Sequence, residues 1–254
     1  GGAWAFRRRL RYAGRRAADV RRWLDGASKR PAADAAAREG AEGAWEEAFL
    51  CVARFADVRL PPVADWGRVV EAIRPIASLG RAQLERKLGA RGLSVAELLA
   101  APARASLESS LLGRMAGILT RALASRAWVS PLERFLQNAP ELGVGPSLRE
   151  LCEALPLVAR FLGVVFHTWI EANAELIRRI ADDLPALRKA FPRPGSDARE
   201  GAPAHLSEPP VAGLELFLGD PHFGGRAVCR VDFSWGVSVA YKPRPLDMER
   251  AFDT

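Results

Sequence analysis

A stretch rich in proline and glycine, residues 191–210, divides the chain into two parts whose apolar residues follow different periods. It contains five prolines and two glycines. A run of this kind cannot continue a helix and predicts a surface connection. Before it, apolar residues recur at three- and four-residue steps, and after it they alternate. We therefore expect an α+β fold, with a mainly helical N-terminal body followed by antiparallel strands over residues 211–254.

The first thirty residues hold the excess positive charge of the chain. They contain ten Lys or Arg and two Asp, so they carry +8, whereas the remaining residues carry −1. Apolar residues from Phe6 to Leu24 follow a helical period and predict a basic helical arm over residues 1–30. The arm is interpreted as a surface helix, or alternatively as a docking site for an acidic partner. A basic arm on a neutral body is weak evidence for nucleic-acid binding, which we do not expect.

Residues 31–190 carry successive helical patterns separated by prolines and predict a helical body. Asp65 is predicted to cap one helix, and Ser94 with Glu97 predicts a capping box at another. The longest pattern, from Leu148 to Leu187, predicts one or two long helices.

The cysteines and histidines give no sign of a metal site or a disulfide framework. Cys51, Cys152 and Cys229 are odd in number and far apart, which favours a reducing cytoplasm. His167 has no second His or Cys at helical spacing, so we interpret it as a packed side chain. No apolar run approaches the roughly 18 residues of a membrane span, and no signal peptide opens the chain.

The C-terminal part predicts a hairpin. Residues 226–233 and 237–242 alternate at a period of two and are rich in Val, Phe and Tyr, so both are predicted strands. A further strand is expected near residues 214–218. Between the two alternating runs, Ser234-Trp235-Gly236 forms a short connection, with Gly236 where a positive φ is expected.

Two features of this hairpin favour phosphate binding. Gly224-Gly225 precedes the first strand and would let the backbone approach a ligand closely. Lys242 ends the second strand and would neutralise an anion held by backbone N–H groups. The simpler interpretation is an ordinary glycine turn and a solvated lysine, and these pieces alone leave both interpretations open.

A longer motif surrounds these residues. It comprises Gly219-Asp220-Pro221-His222, Gly224-Gly225-Arg226, Tyr241-Lys242-Pro243-Arg244 and Ala251-Phe252, with twenty-two positions from Asp220 to Lys242. In its residues and its spacing, this motif resembles the signature of the dehydratase domain of class II lanthipeptide synthetases (LanM-type, type 2 lantibiotic biosynthesis proteins).

The resemblance implies a fold related to lipid kinases and a two-step reaction in the bacterial cytoplasm. Such enzymes phosphorylate Ser and Thr of a precursor peptide with ATP and Mg²⁺, then eliminate the phosphate to leave dehydroamino acids. By this resemblance Lys242 contacts the nucleotide phosphates, and Asp220 and His222 serve the elimination. Gly224 and Gly225 would shape the turn above the phosphates, by analogy with kinase glycine loops. The partner would be a precursor peptide with a leader segment, for which the basic arm is a candidate docking site.

Some expected parts of that family are absent from this sequence. The chain begins with Gly-Gly and stops at Thr254, twelve residues after Lys242, so we interpret it as a fragment that is inactive alone. The Mg²⁺ ligands are expected beyond residue 254, and no zinc is expected here. The alternatives are a non-catalytic peptide-binding or scaffold domain with a vestigial kinase-like hairpin, and a protein or small-molecule kinase.

Overall fold

The computed structural model of the chain describes residues 44–62, 64–124, 145–192, 208–219 and 223–243. The predicted basic arm and most of the proline-rich connection lie outside these residues. The described chain is mainly helical with a small antiparallel sheet at its C-terminal end, so the predicted α+β class is confirmed.

Seven α-helices precede the sheet in the described residues. They are α1 (Ala44–Val52), α2 (Trp66–Ile73), α3 (Pro75–Gly89), α4 (Val95–Leu98), α5 (Ala101–Ala124), α6 (Leu148–Ala154) and α7 (Pro156–Ala190). The predicted long pattern from Leu148 forms two helices, α6 and α7. The break falls at Leu155, where Pro156, which has no N–H to donate, begins α7. No single described helix is both long and apolar enough to cross a membrane; α6 and α7 meet the length and composition criteria only when taken together across a 117° bend.

The sheet has three strands in the order β1-β2-β3, each antiparallel to its neighbour. They are β1 (Val211–Glu215), β2 (Cys229–Phe233) and β3 (Ser238–Tyr241).

The strand positions differ from the sequence-based ones at two places. β1 lies three residues earlier than expected and ends before Phe217, whose φ of 61° is left-handed and cannot continue a strand. β2 begins at Cys229 instead of Arg226, because the left-handed Gly224 and Gly225 turn the chain just before it. Gly236 has a φ of 86°, which confirms the prediction for the hairpin connection.

The described residues belong to two compact units. The first unit takes its members from residues 1–81 and 111–169, and the second from residues 82–110 and 170–254. In the first, glycines allow close packing of bulky groups: a Cβ at Gly80 would lie 2.6 Å from Leu111 Cδ2 and 3.3 Å from the buried Trp169 ring. The second contains the sheet, and its core includes Leu107, Val211 and Val231.

The helix starts follow capping rules, with one correction. Asp65 accepts a hydrogen bond from the Arg68 N–H at 2.8 Å, as predicted. Ser94 makes no such bond, so the capping box predicted with Glu97 is wrong; Glu85 Oε2 instead accepts from the first helical N–H, that of Val95, at 3.2 Å. The capping box found in the structure lies at the start of α6. There Glu150 donates its N–H to Ser147 Oγ at 3.2 Å, and Glu150 Oε2 accepts from the Ser147 N–H at 2.7 Å.

Candidate functional site

Consecutive left-handed glycines precede β2. A short 3₁₀ turn covers Phe223–Gly225, with φ values of 76° at Gly224 and 77° at Gly225. A residue with a Cβ pays about 1–2 kcal/mol to adopt this conformation. A Cβ at Gly224 would also lie 3.0 Å from Arg226 Nη1, so the guanidinium folds back beside the turn. The predicted glycine turn is therefore present, and its geometry favours glycine.

Arg226 joins this turn to helix α7. Its Nε donates to Glu175 Oε2 at 2.6 Å. The second oxygen of the same carboxylate, Oε1, lies 2.6 Å from Arg179 Nη2, one turn further along the helix. The Glu175 side chain is only 13% exposed. A carboxylate with so little solvent needs partners for its charge, and here each oxygen has its own arginine.

The end of β3 lies against the same group. Arg179 places its guanidinium carbon 5.8 Å from the centre of the Tyr241 ring. Burial raises the pKa of the Tyr241 hydroxyl, with the Glu175 charge acting in the same direction and the Arg179 charge opposing it. Tyr241 pairs with Cys229 of β2, and burial raises the pKa of the Cys229 thiol to about 12. The hairpin thus presents its buried face to α7 through Tyr241 and Arg179.

Lys242 follows Tyr241 directly and is exposed. Because Cys229 and Tyr241 are paired, the start of β2 and the end of β3 lie at one end of the hairpin. The glycine turn and Lys242 therefore share that end, opposite the connection at Gly236. By strand alternation Lys242 continues the outer face of Ser238 and Ala240 rather than the buried face of Tyr241.

That outer face of the sheet carries its own charged group. Arg230 Nη1 lies 2.9 Å from Glu215 Oε2, and Arg230 Nε donates to Asp232 Oδ1 at 3.0 Å. Ser238 Oγ donates to Asp232 Oδ1 at 2.6 Å. The Ser238 hydrogen bond, followed by that from Arg230, lowers the pKa of the Asp232 carboxyl.

The structure describes only part of the predicted site. Gly224, Gly225 and Lys242 lie at one end of the sheet. Asp220 and His222 lie outside the described residues, so their proposed roles stay predictions. Among the residues that the structure describes, no three His, Cys, Asp or Glu side chains form a group that could hold a metal ion.

The ion pairs of Glu175 on α7 were not among the features predicted from the sequence. The four-residue step from Glu175 to Arg179 is a recognisable helical ion-pair spacing. The contact with Arg226 joins residues 51 positions apart, and no local pattern indicates it.

The comparison with protein families covers the same region. Residues 155–254 match a family model described as "Domain of unknown function (DUF4135)". No curated protein matches the chain. The match spans α7, the sheet, the glycine turn and Lys242, and it is compatible with the resemblance to class II lanthipeptide synthetases. The C-terminal part of this chain is thus similar to a domain family without an assigned function.

Proposed function

We propose that this chain is part of a lanthipeptide dehydratase, which phosphorylates Ser and Thr of a precursor peptide with ATP and then eliminates phosphate. The observation that carries the proposal is the pair of left-handed glycines at the same end of the hairpin as Lys242. Because glycine has no Cβ, phosphate oxygens can approach the backbone of the turn, and the Lys242 ammonium supplies a fixed positive charge. The odd number and wide spacing of the cysteines fit a reducing compartment, which we propose to be the bacterial cytoplasm.

The first step forms a bond from the peptide hydroxyl oxygen to the γ-phosphorus of ATP, as the bond from that phosphorus to ADP breaks and the hydroxyl proton is released to solvent. This chemistry needs mainly alignment and neutralisation of phosphate charge. In our proposal Lys242 holds the phosphates while the turn at Gly224 and Gly225 lies over them. Mg²⁺ would supply further positive charge, but we assign it no ligand among the described residues.

The second step needs a base and a stabilised leaving group. The α-proton is removed, its bonding electrons form the Cα=Cβ bond, and the Cβ–O bond breaks to release phosphate. This gives dehydroalanine from phosphoserine and dehydrobutyrine from phosphothreonine. We propose Asp220 and His222 for this step, on the resemblance of their motif.

The test uses the complete protein that contains this chain, with ATP and its precursor peptide. We expect the wild-type protein to yield dehydrated peptide and Lys242→Ala to leave the peptide unmodified, as read by mass spectrometry. The matched control is Lys189→Ala, which removes an exposed lysine in the last turn of α7 and should leave the yield unchanged. Normal phosphorylation by Lys242→Ala would remove this lysine from the site.

The same experiment separates the alternative functions. A wild-type protein that binds the peptide but consumes no ATP would indicate a scaffold domain. A wild-type protein that stops at the phosphopeptide would indicate a kinase.

A further inference from the structure

The carboxylate of Glu175 is the point where helix α7, the glycine turn and the end of β3 meet. It accepts from Arg226 beside Gly224, and it pairs with Arg179, which covers the Tyr241 ring. Tyr241 immediately precedes Lys242. Glu175 is therefore linked through Arg226 to the glycine turn, and through Arg179 to the end of β3 that carries Lys242.

We propose that Glu175 is a positioning residue for this site, and that it fixes the glycine turn through Arg226 and the Lys242 end of β3 through Arg179. The proposal rests on the proposed function, because it assigns a role within the same nucleotide site.

The physical reason is the entropy of a short, unusual turn. Consecutive left-handed glycines have more backbone freedom than other residues, and a turn that moves must be ordered again whenever the nucleotide binds. The part-buried ion pair between Arg226 and Glu175 would hold Gly224 in its bound conformation before the nucleotide arrives. Arg226 is suited to this role because its guanidinium, a planar fork of donors, also lies beside the Gly224 Cα.

A second ion pair on the same helix provides a matched control. Glu171 lies one turn before Glu175 and pairs with Lys87 at 2.8 Å, with both side chains about half exposed (43% and 46%). The Glu171 pair joins α7 to α3 rather than to the glycine turn, and an exposed pair of this kind contributes little. A comparison of variants at Glu175 and Glu171 therefore separates a general effect of removing negative charge from α7 from a specific effect on the glycine turn.

The test measures the KM for ATP and the KM for peptide separately in the complete enzyme. Arg226→Gln leaves Glu175 paired with Arg179, so it uncouples the turn without leaving a buried charge alone. We expect Arg226→Gln and Glu175→Gln each to raise the KM for ATP about tenfold, with the KM for peptide unchanged. The double variant should be no worse than the worse single one, whereas Glu171→Gln should change neither constant.

The sign of the Glu175→Gln effect distinguishes positioning from direct contact. If Arg226 itself binds phosphate, removal of Glu175 releases the guanidinium, so the KM for ATP should fall or stay constant. That result would overturn the proposal, as would equal effects of Glu175→Gln and Glu171→Gln. If Glu175→Gln does not fold, Arg226→Gln and Arg226→Lys decide. We expect Arg226→Lys, which keeps the charge but not the fork, to lie between wild type and Arg226→Gln. A KM at the wild-type value for both arginine variants would overturn the proposal.

The proposed function fails in a different way, since a wild-type enzyme that consumes no ATP with its peptide would refute the activity before any variant is compared.

Discussion

Replacement of Gly224 by Ala should separate the cost of a left-handed backbone from the cost of crowding Arg226. The φ of 76° costs a residue with a Cβ about 1–2 kcal/mol. The new Cβ would also stand 3.0 Å from Arg226 Nη1, and this side chain is held by its bond to Glu175. Moving the guanidinium off its preferred geometry adds about 0.5–1.5 kcal/mol. We therefore expect Gly224→Ala to lower the free energy of unfolding by about 1.5–3.5 kcal/mol.

Two other glycines of the sheet region supply the controls. Gly236 has a φ of 86° but no atom within 4 Å of an added Cβ, so Gly236→Ala should cost only the backbone term, about 1–2 kcal/mol. Gly219 has neither a positive φ nor a neighbour within 4 Å, so Gly219→Ala should be neutral or should stabilise the fold by up to about 1 kcal/mol.

Urea unfolding of the three variants, followed by tryptophan fluorescence and circular dichroism, measures these differences through the midpoint at constant slope. The expected order of destabilisation is Gly224→Ala, then Gly236→Ala, then Gly219→Ala. Equal midpoints for Gly224→Ala and Gly219→Ala would refute the reasoning, because the turn would then need no glycine. Equal midpoints for Gly224→Ala and Gly236→Ala would show that crowding of Arg226 adds no cost.

Two further predictions concern the thiols and the helix starts. Burial raises the pKa values of Cys152 and Cys229 to about 12, so both thiols should resist Ellman's reagent at pH 8 in the native protein and react in urea. Because each folded pKa lies above the unfolded value of 9.0, the stability that these thiols contribute is complete below about pH 9. This contribution should be lost as the pH rises towards 12, which would be measured as a falling free energy of unfolding. Rapid reaction of both thiols with Ellman's reagent in the native protein would contradict their burial. Ser147→Ala should cost about 1 kcal/mol by removing the capping box of α6. Ser94→Ala should cost less than about 0.5 kcal/mol, because Ser94 makes no capping bond, and equal losses in urea unfolding would contradict the assignment.

Helix caps and turn conformations that depend only on neighbouring residues could be predicted from the sequence. The N-cap at Asp65 and the positive φ of Gly236 follow from local chemistry, and both are present. Ser94 shows the limit of prediction from local sequence. A serine with a glutamate three positions later predicts a capping box, but here the first helical N–H, that of Val95, donates to the distant Glu85.

Long-range partners could not be predicted in the same way. Trp66 belongs to a helical apolar pattern, yet its side chain is 49% exposed and its ring lies against Gly113 and Gly117 of α5. The contact of Glu175 with Arg226 likewise depends on how α7 and the hairpin meet within the second unit. The sequence therefore indicated the turn and the lysine, and the structure adds the carboxylate that joins the turn to its helix.

The mass of the precursor peptide after incubation with ATP and an Asp220→Asn variant of the complete enzyme tests the central claim most directly. His222→Ala provides the parallel variant, and Lys242→Ala provides the reference that should leave the peptide unmodified. If phosphorylation precedes elimination and Asp220 serves only the second step, the peptide should accumulate phosphoryl groups without losing water. Unmodified peptide from the Asp220 variant would mean that this acid serves nucleotide binding or folding. Fully dehydrated peptide would contradict the proposed role of Asp220 in elimination.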